Sequence, residues 1–519
     1  MTEGVVKRNF AKPDISFIEF TEDLKYLGSM AKTITSENLK IIFGIKIKTF
    51  RTEQGLSLQE LSRKSGIALS YLSEIESGKK YPKPEKLLNL AQALGLDYDK
   101  LVSLKVDKSL DPFAALIDSE LIKQFPFHLF GISARDILGL FKNDPESAHS
   151  FLQTFLQISR AYDMSVETFL FAALRTFQRL HSNYFPDLER LADTFSKQNS
   201  FDRNTPNFNL LKRILEEKHL YHIEEDGLSE HPVLKGFRSI FRGEGNLAIN
   251  SRLLPSQKAF ILARELGFLE LGITDRPLTS SWIEVKSFNE LVNNFKASYF
   301  AGALLIQKEN FTKDLEKLLS KSTWDGKAIM ALLDRYQATP EMLLYRMSQL
   351  LPGVFGLDSI FYMRFSNSKD RLSVKLTKEL NMTDTLVPYG LGISEHYCRR
   401  WLPLRLLKKV RQDGLPISTG VQKIHFINSG ASFLLLSLAR PLSLAKERGS
   451  AIVIGFKIDK KSQQHIKFLN DPTITEEDVG ETCERCPLTD CSERVVEASI
   501  ISKQNRAKVR EAALQKFIK

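Results

Sequence analysis

The feature that most constrains the fold is a series of closely spaced helix boundaries near the N-terminus. Ser57 and Glu60 have the spacing of a capping box, in which each side chain accepts a hydrogen bond from the other residue's backbone N–H at the start of a helix. Gly66 permits the left-handed conformation that ends this helix. Apolar residues resume at helical spacing after Ala68, and this second helix ends at Gly78. The sequence therefore predicts two short helices joined by a turn of a few residues.

Two helices across such a turn are typical of a helix-turn-helix, whose second helix enters the major groove of DNA. Further helix signals on both sides extend the prediction to a five-helix, all-α domain over residues 39–104. The segment contains Gly55-Leu56-Ser57, Gln59-Glu60-Leu61, Gly66-Ile67, Tyr71-Leu72-Ser73, Ile75-Glu76-Ser77-Gly78 and Ala93-Leu94-Gly95. On these residues it resembles the lambda-repressor-like, Xre-type helix-turn-helix family.

The resemblance implies that the partner is double-stranded operator DNA. The residues expected on base edges are Leu69, Ser70, Tyr71, Ser73 and Glu74, and those expected on phosphates are Arg51, Gln59, Lys79 and Lys80. Glu74 can accept from the amino group of cytosine, and Leu69 or Tyr71 can pack on a thymine methyl. Ala68 lacks the hydroxyl that usually caps the second helix. The alternative is a small helical bundle with a charged surface.

Length and composition limit the remaining possibilities. The chain has 519 residues, more than one hydrophobic core accommodates, so several domains are expected. Basic side chains exceed acidic ones by 11, which favours a polyanionic partner. We find neither a secretory signal nor an apolar run of the roughly 20 residues needed to cross a bilayer. A cytoplasmic protein with reduced thiols and no membrane partner is therefore expected.

Two segments around the N-terminal domain carry less information. Residues 1–38 have no clear period and are interpreted as a leader. Residues 105–206 place aromatic side chains at helical spacing, as in Phe151 with Phe155 and Phe169 with Phe177. They predict a helical linker or support domain.

Residues 207–352 contain a helical run from Gln257 to Phe268 and a later one that begins near Lys296. On these runs the segment resembles a degenerate ImmA/IrrE-type peptidase-like domain of α+β class. That family holds zinc with a His-Glu-x-x-His helix and a third ligand on a later helix. Here Arg264 and Phe268 stand at the histidine positions and Lys296 replaces the third ligand, so no zinc and no proteolysis are expected. The site is left either as a small-molecule cavity or as an ion pair between Arg264 and Glu265.

Residues 353–500 change to branched and aromatic runs bounded by turns, which predicts a C-terminal α+β domain. All four cysteines lie here: Cys398, Cys483, Cys486 and Cys491. The Cys-x2-Cys spacing lets two thiolates reach one metal, so the four cysteines predict a site for zinc or an iron-sulfur cluster. Structurally idle thiols and a redox-sensitive thiol set are the alternatives. Residues 501–519 predict a basic helical tail.

The order of these domains resembles that of the short-chain fatty acyl transcriptional regulators. This resemblance implies a non-enzymatic, homodimeric regulator that binds operator DNA and senses a small-molecule effector, such as a short-chain acyl-CoA, or a redox or metal state. Two other functions stay open. One is a DNA-targeted zinc peptidase that cleaves a repressor, and the other is an antitoxin-like autoregulator.

Overall fold

The computed structural model describes residues 36–102, 127–130, 132, 154, 166–201, 206–279, 287–367, 374–385 and 395–518. The predicted leader and the aromatic pair Phe151 and Phe155 lie outside these ranges. Within them the protein is a multidomain α+β structure with an all-α N-terminal domain, as predicted.

The N-terminal domain consists of five helices: α1 (Ser36–Glu53), α2 (Leu58–Ser65), α3 (Leu69–Glu76), α4 (Pro84–Ala93) and α5 (Tyr98–Val102). The capping box is confirmed, because Ser57 Oγ accepts from the Glu60 N–H and Glu60 Oε2 accepts from the Ser57 N–H. Gly66 adopts φ 68° and ends α2. The helices enclose one core that includes Leu61, Leu72 and Ile75.

Helix α1 crosses α3 at very short range. A Cβ atom on Gly44 would lie 2.5 Å from the backbone oxygen of Ile75 and 3.1 Å from that of Glu76. Since both atoms belong to a helix backbone, neither can rotate away. Gly44 therefore sets the distance at which α3 is held against the core.

The middle of the chain is mainly helical. Its elements are α6 (Val166–Leu180), α7 (Pro186–Gln198), α8 (Phe208–His219), β1 (His222–Glu224), α9 (Gly227–Glu230), β2 (Ser239–Phe241), β3 (Asn246–Ile249), α10 (Pro255–Glu270), α11 (Phe288–Leu305), α12 (Lys308–Leu319), α13 (Gly326–Arg335) and α14 (Pro340–Phe355). The three strands form a small sheet in the order β1-β3-β2. Gly267 lets α10 pack closely on α11, since a Cβ there would lie 2.9 Å from the Ala297 backbone oxygen. The last helix continues to Phe355, beyond the predicted end of this segment, and stops where Gly356 takes φ 65°.

The C-terminal part contains β4 (Ile360–Asn367), β5 (Val374–Asn381), α15 (Leu402–Gln412), β6 (Ser418–Phe426), β7 (Ser432–Pro441), β8 (Gly449–Lys457), α16 (Lys460–His465), β9 (Glu476–Val479) and α17 (Ser499–Ile518). The strands form one sheet in the order β5-β4-β8-β7-β6-β9. Strands β7 and β8 are central and buried on both faces, which explains their continuous apolar runs.

Alternate residues of β7 point into two different cores. Leu434 and Leu436 join a large core that also takes in residues of α7, α10, α11 and α14, whereas Phe433 and Leu435 join a smaller core around Trp401. The large core is thus continuous from the helical middle into the C-terminal sheet.

The basic C-terminal tail is helical, as predicted, and α17 buries no residue. None of the helices within the described ranges is both long and apolar enough to span a lipid bilayer.

Candidate functional site

The predicted recognition helix, α3, presents one face to solvent. Its N-cap, Ala68, makes no side-chain capping bond. Leu69 is 42% exposed and Ser70 is exposed at the start of the helix, whereas Leu72 and Ile75 on the opposite face are fully buried. The helix is therefore held by its apolar face and offers its N-terminal turn to a partner, which is the geometry needed to place side chains on base edges.

The other predicted base contacts lie partly against neighbouring lysines. The Tyr71 ring packs on the core and has Lys86 Nζ 4.0 Å and Lys80 Nζ 5.4 Å from its centre. The Glu74 carboxylate lies 2.8 Å from Lys80 Nζ, and both groups are well exposed. Glu74 must therefore exchange this lysine for a base if it is to contact cytosine. Ser73 is half-buried beside them on the same helix.

Three of the predicted phosphate contacts stand on the surface. Lys79 and Lys80 follow the end of α3, and Gln59 lies in the first turn of α2. All three residues are exposed. Gln59 and Lys79 are thus accessible to a DNA backbone, whereas Lys80 would first have to release Glu74.

The interpretation of Arg51 as a phosphate contact is corrected by the structure. Arg51 Nε donates to Glu76 Oε1 over 2.6 Å, its Nη2 donates to Glu76 Oε2 over 3.0 Å, and its Nη1 donates to the Leu56 carbonyl. The two side chains are only 12% and 9% exposed. Arg51 therefore joins the end of α1 to the end of α3, and its charge is already neutralised.

At Glu265, where the resemblance places the peptidase centre, the structure has an ion pair, but not the expected one. Arg276 donates to both oxygens of Glu265, over 2.6 and 2.7 Å, and the side chains are 7% and 1% exposed. The Arg276 guanidinium also lies 4.0 Å from the centres of both the Phe268 and Phe241 rings. The Tyr221 hydroxyl donates to Glu265, and burial raises the pKa of this tyrosine to about 12. A guanidinium thus neutralises the carboxylate that would act as base in a zinc peptidase.

Arg264, predicted to pair with Glu265, makes no hydrogen bond or ion pair with the residues that the structure describes. It is 8% exposed, and its Nε atom is buried without an acceptor. Burial lowers the pKa of Arg264, although the nearby Glu265 charge opposes this shift. Lys296 is half-buried on α11. The sequence did not single out Arg276, because it follows α10 in a loop with no periodic signal.

The segment around Cys398 lies beside the Cys-x2-Cys turn, as expected if the two were to share a site. Tyr397 and Thr482 form an antiparallel bridge. The Cys483 N–H donates to the His396 carbonyl, and the Cys398 N–H donates to the Glu481 carbonyl. The structure therefore brings two distant parts of the sequence together.

Three of the thiols are buried in this arrangement. Cys398, Cys483 and Cys486 are at most 5% exposed, whereas Cys491 is half-buried. Burial raises the pKa of Cys398 to about 11, despite the N–H groups of Arg400 and Gly480 that point at its sulfur.

The structure does not group the side chains that would bind the predicted metal. Among the residues that the structure describes, no three histidine, cysteine or acidic side chains are grouped so that they could hold a metal ion. As placed, the four cysteines do not form the donor set that zinc or an iron-sulfur cluster needs. The metal site therefore stays a prediction.

Comparisons with known families match two parts of the chain. The helix-turn-helix family model matches residues 47–101, and the model of the IrrE N-terminal-like domain matches residues 223–348. The first contains α2 and α3, and the second contains the Arg276–Glu265 pair.

Individual proteins are similar over longer or shorter stretches. The chain is 22% identical to the propionyl-CoA carboxylase regulator of Cereibacter sphaeroides over 343 residues. This alignment covers 62% of this chain and 68% of that protein. It is 35% identical to the uncharacterized HTH-type transcriptional regulator y4dJ of Sinorhizobium fredii over 66 residues. This alignment covers 13% of this chain and 86% of that protein. A Mycobacterium tuberculosis transcriptional regulator of known structure aligns with a TM-score of 0.46 at 17% identity, over 63% of this chain and 94% of that one.

Proposed function

Because the chain belongs to the helix-turn-helix transcriptional regulators, we propose that it binds operator DNA as a cytoplasmic homodimer and that the residues after 105 adjust this binding to a small-molecule signal. The observation that carries the proposal is the exposed N-terminal turn of α3 above a buried apolar face. One such helix contacts a half-site, and two copies related by symmetry contact a palindromic operator.

The sensing half of the proposal rests on the size and continuity of the body that follows the DNA-binding domain. One hydrophobic core joins the helical middle to the C-terminal sheet, so a ligand that changes their packing can act on both. Linkage requires that a ligand which changes DNA affinity be bound with an affinity that DNA changes by the same factor. A short-chain acyl-CoA is one effector to test.

Base contacts are tested by selecting operators from random duplex DNA and measuring affinity by fluorescence anisotropy. Ser70→Ala should relax the preference at one position of each half-site and cost roughly 1–3 kcal/mol on the best sequence. Gln92→Ala, an exposed change near the end of α4, should leave the selected sequence and its affinity unchanged. If Ser70→Ala and Gln92→Ala select the same operator with equal affinity, α3 does not contact bases as proposed.

We further propose that the peptidase-like segment has no proteolytic activity. Glu265 is fully buried and bound by Arg276 on both oxygens, so its charge is neutralised and its oxygens are shielded from solvent, which opposes a role as general base. Purified protein supplied with zinc should not cleave a casein substrate above the level of a Glu265→Ala variant. Cleavage that requires Glu265 would favour the alternative of a zinc peptidase directed to DNA.

The zinc or iron-sulfur proposal for Cys398, Cys483, Cys486 and Cys491 is tested without reference to DNA. Protein purified without oxygen is examined by elemental analysis and by ultraviolet-visible spectroscopy, since a cluster absorbs visible light and zinc does not. Stoichiometric zinc or iron that is lost in Cys483→Ser would support the site. Metal-free protein with four titratable thiols would contradict it.

A further inference from the structure

A cavity of about 180 Å³ lies where the helical middle meets the C-terminal sheet. Helices α10, α11 and α14 form one side of it, and strands β4, β5 and β7 form the other. Its aromatic and apolar lining includes Phe260, Tyr345 and Tyr362. The cavity is separate from the Arg276–Glu265 pair and from the cysteines, whose residues do not line it.

The charges on the cavity wall are strongly unbalanced. Arg238, Arg364, Lys378 and Arg440 line the cavity together with a single carboxylate, Glu341. A further arginine in the wall, at position 346, is already bound by a glutamate outside the cavity. The cavity is therefore lined by several positively charged side chains and by a single carboxylate, that of Glu341.

That one counter-ion is already engaged. Glu341 Oε2 accepts from both Nε and Nη2 of Arg440, over 3.0 and 2.9 Å. Burial alone would raise the pKa of Glu341, but Arg440 and Arg364 lower it to about 2, so the carboxylate stays ionised. The positive charges of Arg238, Arg364 and Lys378 remain largely uncompensated.

None of the remaining cations is paired with a carboxylate in the part of the chain that the structure describes. The Arg238 side chain makes no hydrogen bond or ion pair with any residue in the described ranges. Burial, together with the neighbouring Arg364, Arg440 and Arg264 charges, lowers its pKa to about 10. Arg364 donates from Nε to Ser450 Oγ over 3.0 Å.

Lys378 lies against aromatic rings instead of a carboxylate. Its ammonium is 3.4 Å from the centre of the Tyr345 ring and 5.9 Å from that of Tyr362. Desolvation and the Arg364 charge hold its pKa below the usual range, and water moderates this shift because the residue keeps exposed surface. The rings attract the cation but supply no negative charge.

A further unpaired guanidinium stands behind the wall. Arg264 belongs to α10, the helix that also contributes Phe260 to the lining, and it is close enough for its charge to act on Arg238. It is more than nine-tenths buried, and its Nε has no acceptor in the described structure. Like charges held in a poorly solvated space repel each other and favour the binding of an anion.

We propose that this cavity binds a small organic anion of the phosphate class that carries at least two negative charges. Guanidinium groups match the oxygens of a phosphate in a bidentate manner, and Lys378 supplies an additional point charge. The aromatic side chains would contact the organic part of the ligand. A regulatory role for this site rests on the proposed function, because the bound anion would then be the effector. Anion binding by the cavity does not depend on the proposed function.

The test uses the full chain and inorganic pyrophosphate as the probe, at constant ionic strength, with isothermal titration calorimetry and thermal melting. We expect saturable binding and a higher melting temperature for the wild type. Arg238→Gln and Lys378→Gln should each weaken binding at least about tenfold, since each removes a charged hydrogen-bond donor. Lys235→Gln removes one exposed charge from the same segment outside the cavity and should bind like the wild type.

A second readout separates ligand binding from a purely structural role. Without pyrophosphate, Arg238→Gln should melt at a higher temperature than the wild type, because it removes a repelling charge that has no partner. A lower melting temperature in the absence of anion, or equal pyrophosphate affinities for Arg238→Gln and Lys235→Gln, would overturn the proposal. Operator affinity measured without pyrophosphate reports the proposed function alone, so the two failures are distinguishable.

Discussion

Replacement of Arg276 by methionine is expected to destabilise severely the part of the chain after the DNA-binding domain, here called the C-terminal body (the described residues from 166 to 518). The change leaves the Glu265 carboxylate 1% exposed and without the guanidinium that binds both of its oxygens. Removal of one partner from a buried pair costs about 3–5 kcal/mol, because the other charge is stranded. The stacking of Arg276 on Phe241 and Phe268 is lost as well, although methionine recovers part of that contact.

The assay is urea unfolding followed by tryptophan fluorescence. All three tryptophans, Trp282, Trp324 and Trp401, follow the DNA-binding domain in the sequence, so the signal reports the C-terminal body alone. The double variant Arg276→Met with Glu265→Met removes both charges and should recover most of the lost stability, since an apolar replacement of a whole buried pair is often neutral.

A matched control and a clear refutation are available. Arg242 and Glu224 form a second ion pair, about half exposed, and Arg242→Met should change the stability by less than about 1 kcal/mol. If Arg276→Met unfolds at the same urea concentration as Arg242→Met, or if the double variant is no more stable than the single one, the Arg276–Glu265 pair does not stabilise the peptidase-like segment as we argue.

Three further results are expected. Gly44→Ala should cost about 1–3 kcal/mol, measured by thermal melting of the helical signal, because the new methyl group would overlap a backbone oxygen of α3. Lys79→Ala should make the slope of log affinity against log salt less negative by about 0.9 on every DNA sequence, whereas Lys327→Ala on α13 should leave the slope unchanged. Burial alone would raise the pKa of Glu189, but Arg346 lowers it below the usual range, so the stability from this pair is present above the ordinary glutamate pKa and is lost as the pH falls through the lowered value. Acid unfolding of Glu189→Gln, followed by tryptophan fluorescence, should therefore depend less steeply on pH than that of the wild type.

The helix boundaries of the DNA-binding domain could be predicted because each signal is local. Ser57 and Glu60 are three residues apart, and the conformation of Gly66 depends on its own missing Cβ. The strands of the C-terminal sheet were recognised for a similar reason, since a strand buried on both faces needs a run of apolar residues whatever its partners.

The role of Arg51 could not be predicted in the same way. Its partner Glu76 lies 25 residues further along the chain, and the resemblance suggested a phosphate contact that a solvent-exposed arginine would make. Arg276 presents a similar case, because neither its loop nor its spacing from Glu265 signals that its guanidinium stacks between two phenylalanine rings. Ion pairs between distant residues depend on how the helices pack, and one sequence without structure does not give that packing.

The sequence alone determined the helix boundaries of the DNA-binding domain, and it places Arg264, Phe268 and Lys296 where the family it resembles holds zinc, because caps, glycine turns and the chemistry of single side chains act over a few residues. Only the tertiary structure decided which charges neutralise each other: Arg51 pairs with Glu76, Arg276 pairs with Glu265, and Arg238 is left beside other cations without an acceptor. The physical reason is that the energy of a charge depends on the distance to its neighbours and on the solvent around it, and both are set only when separate helices and strands come together.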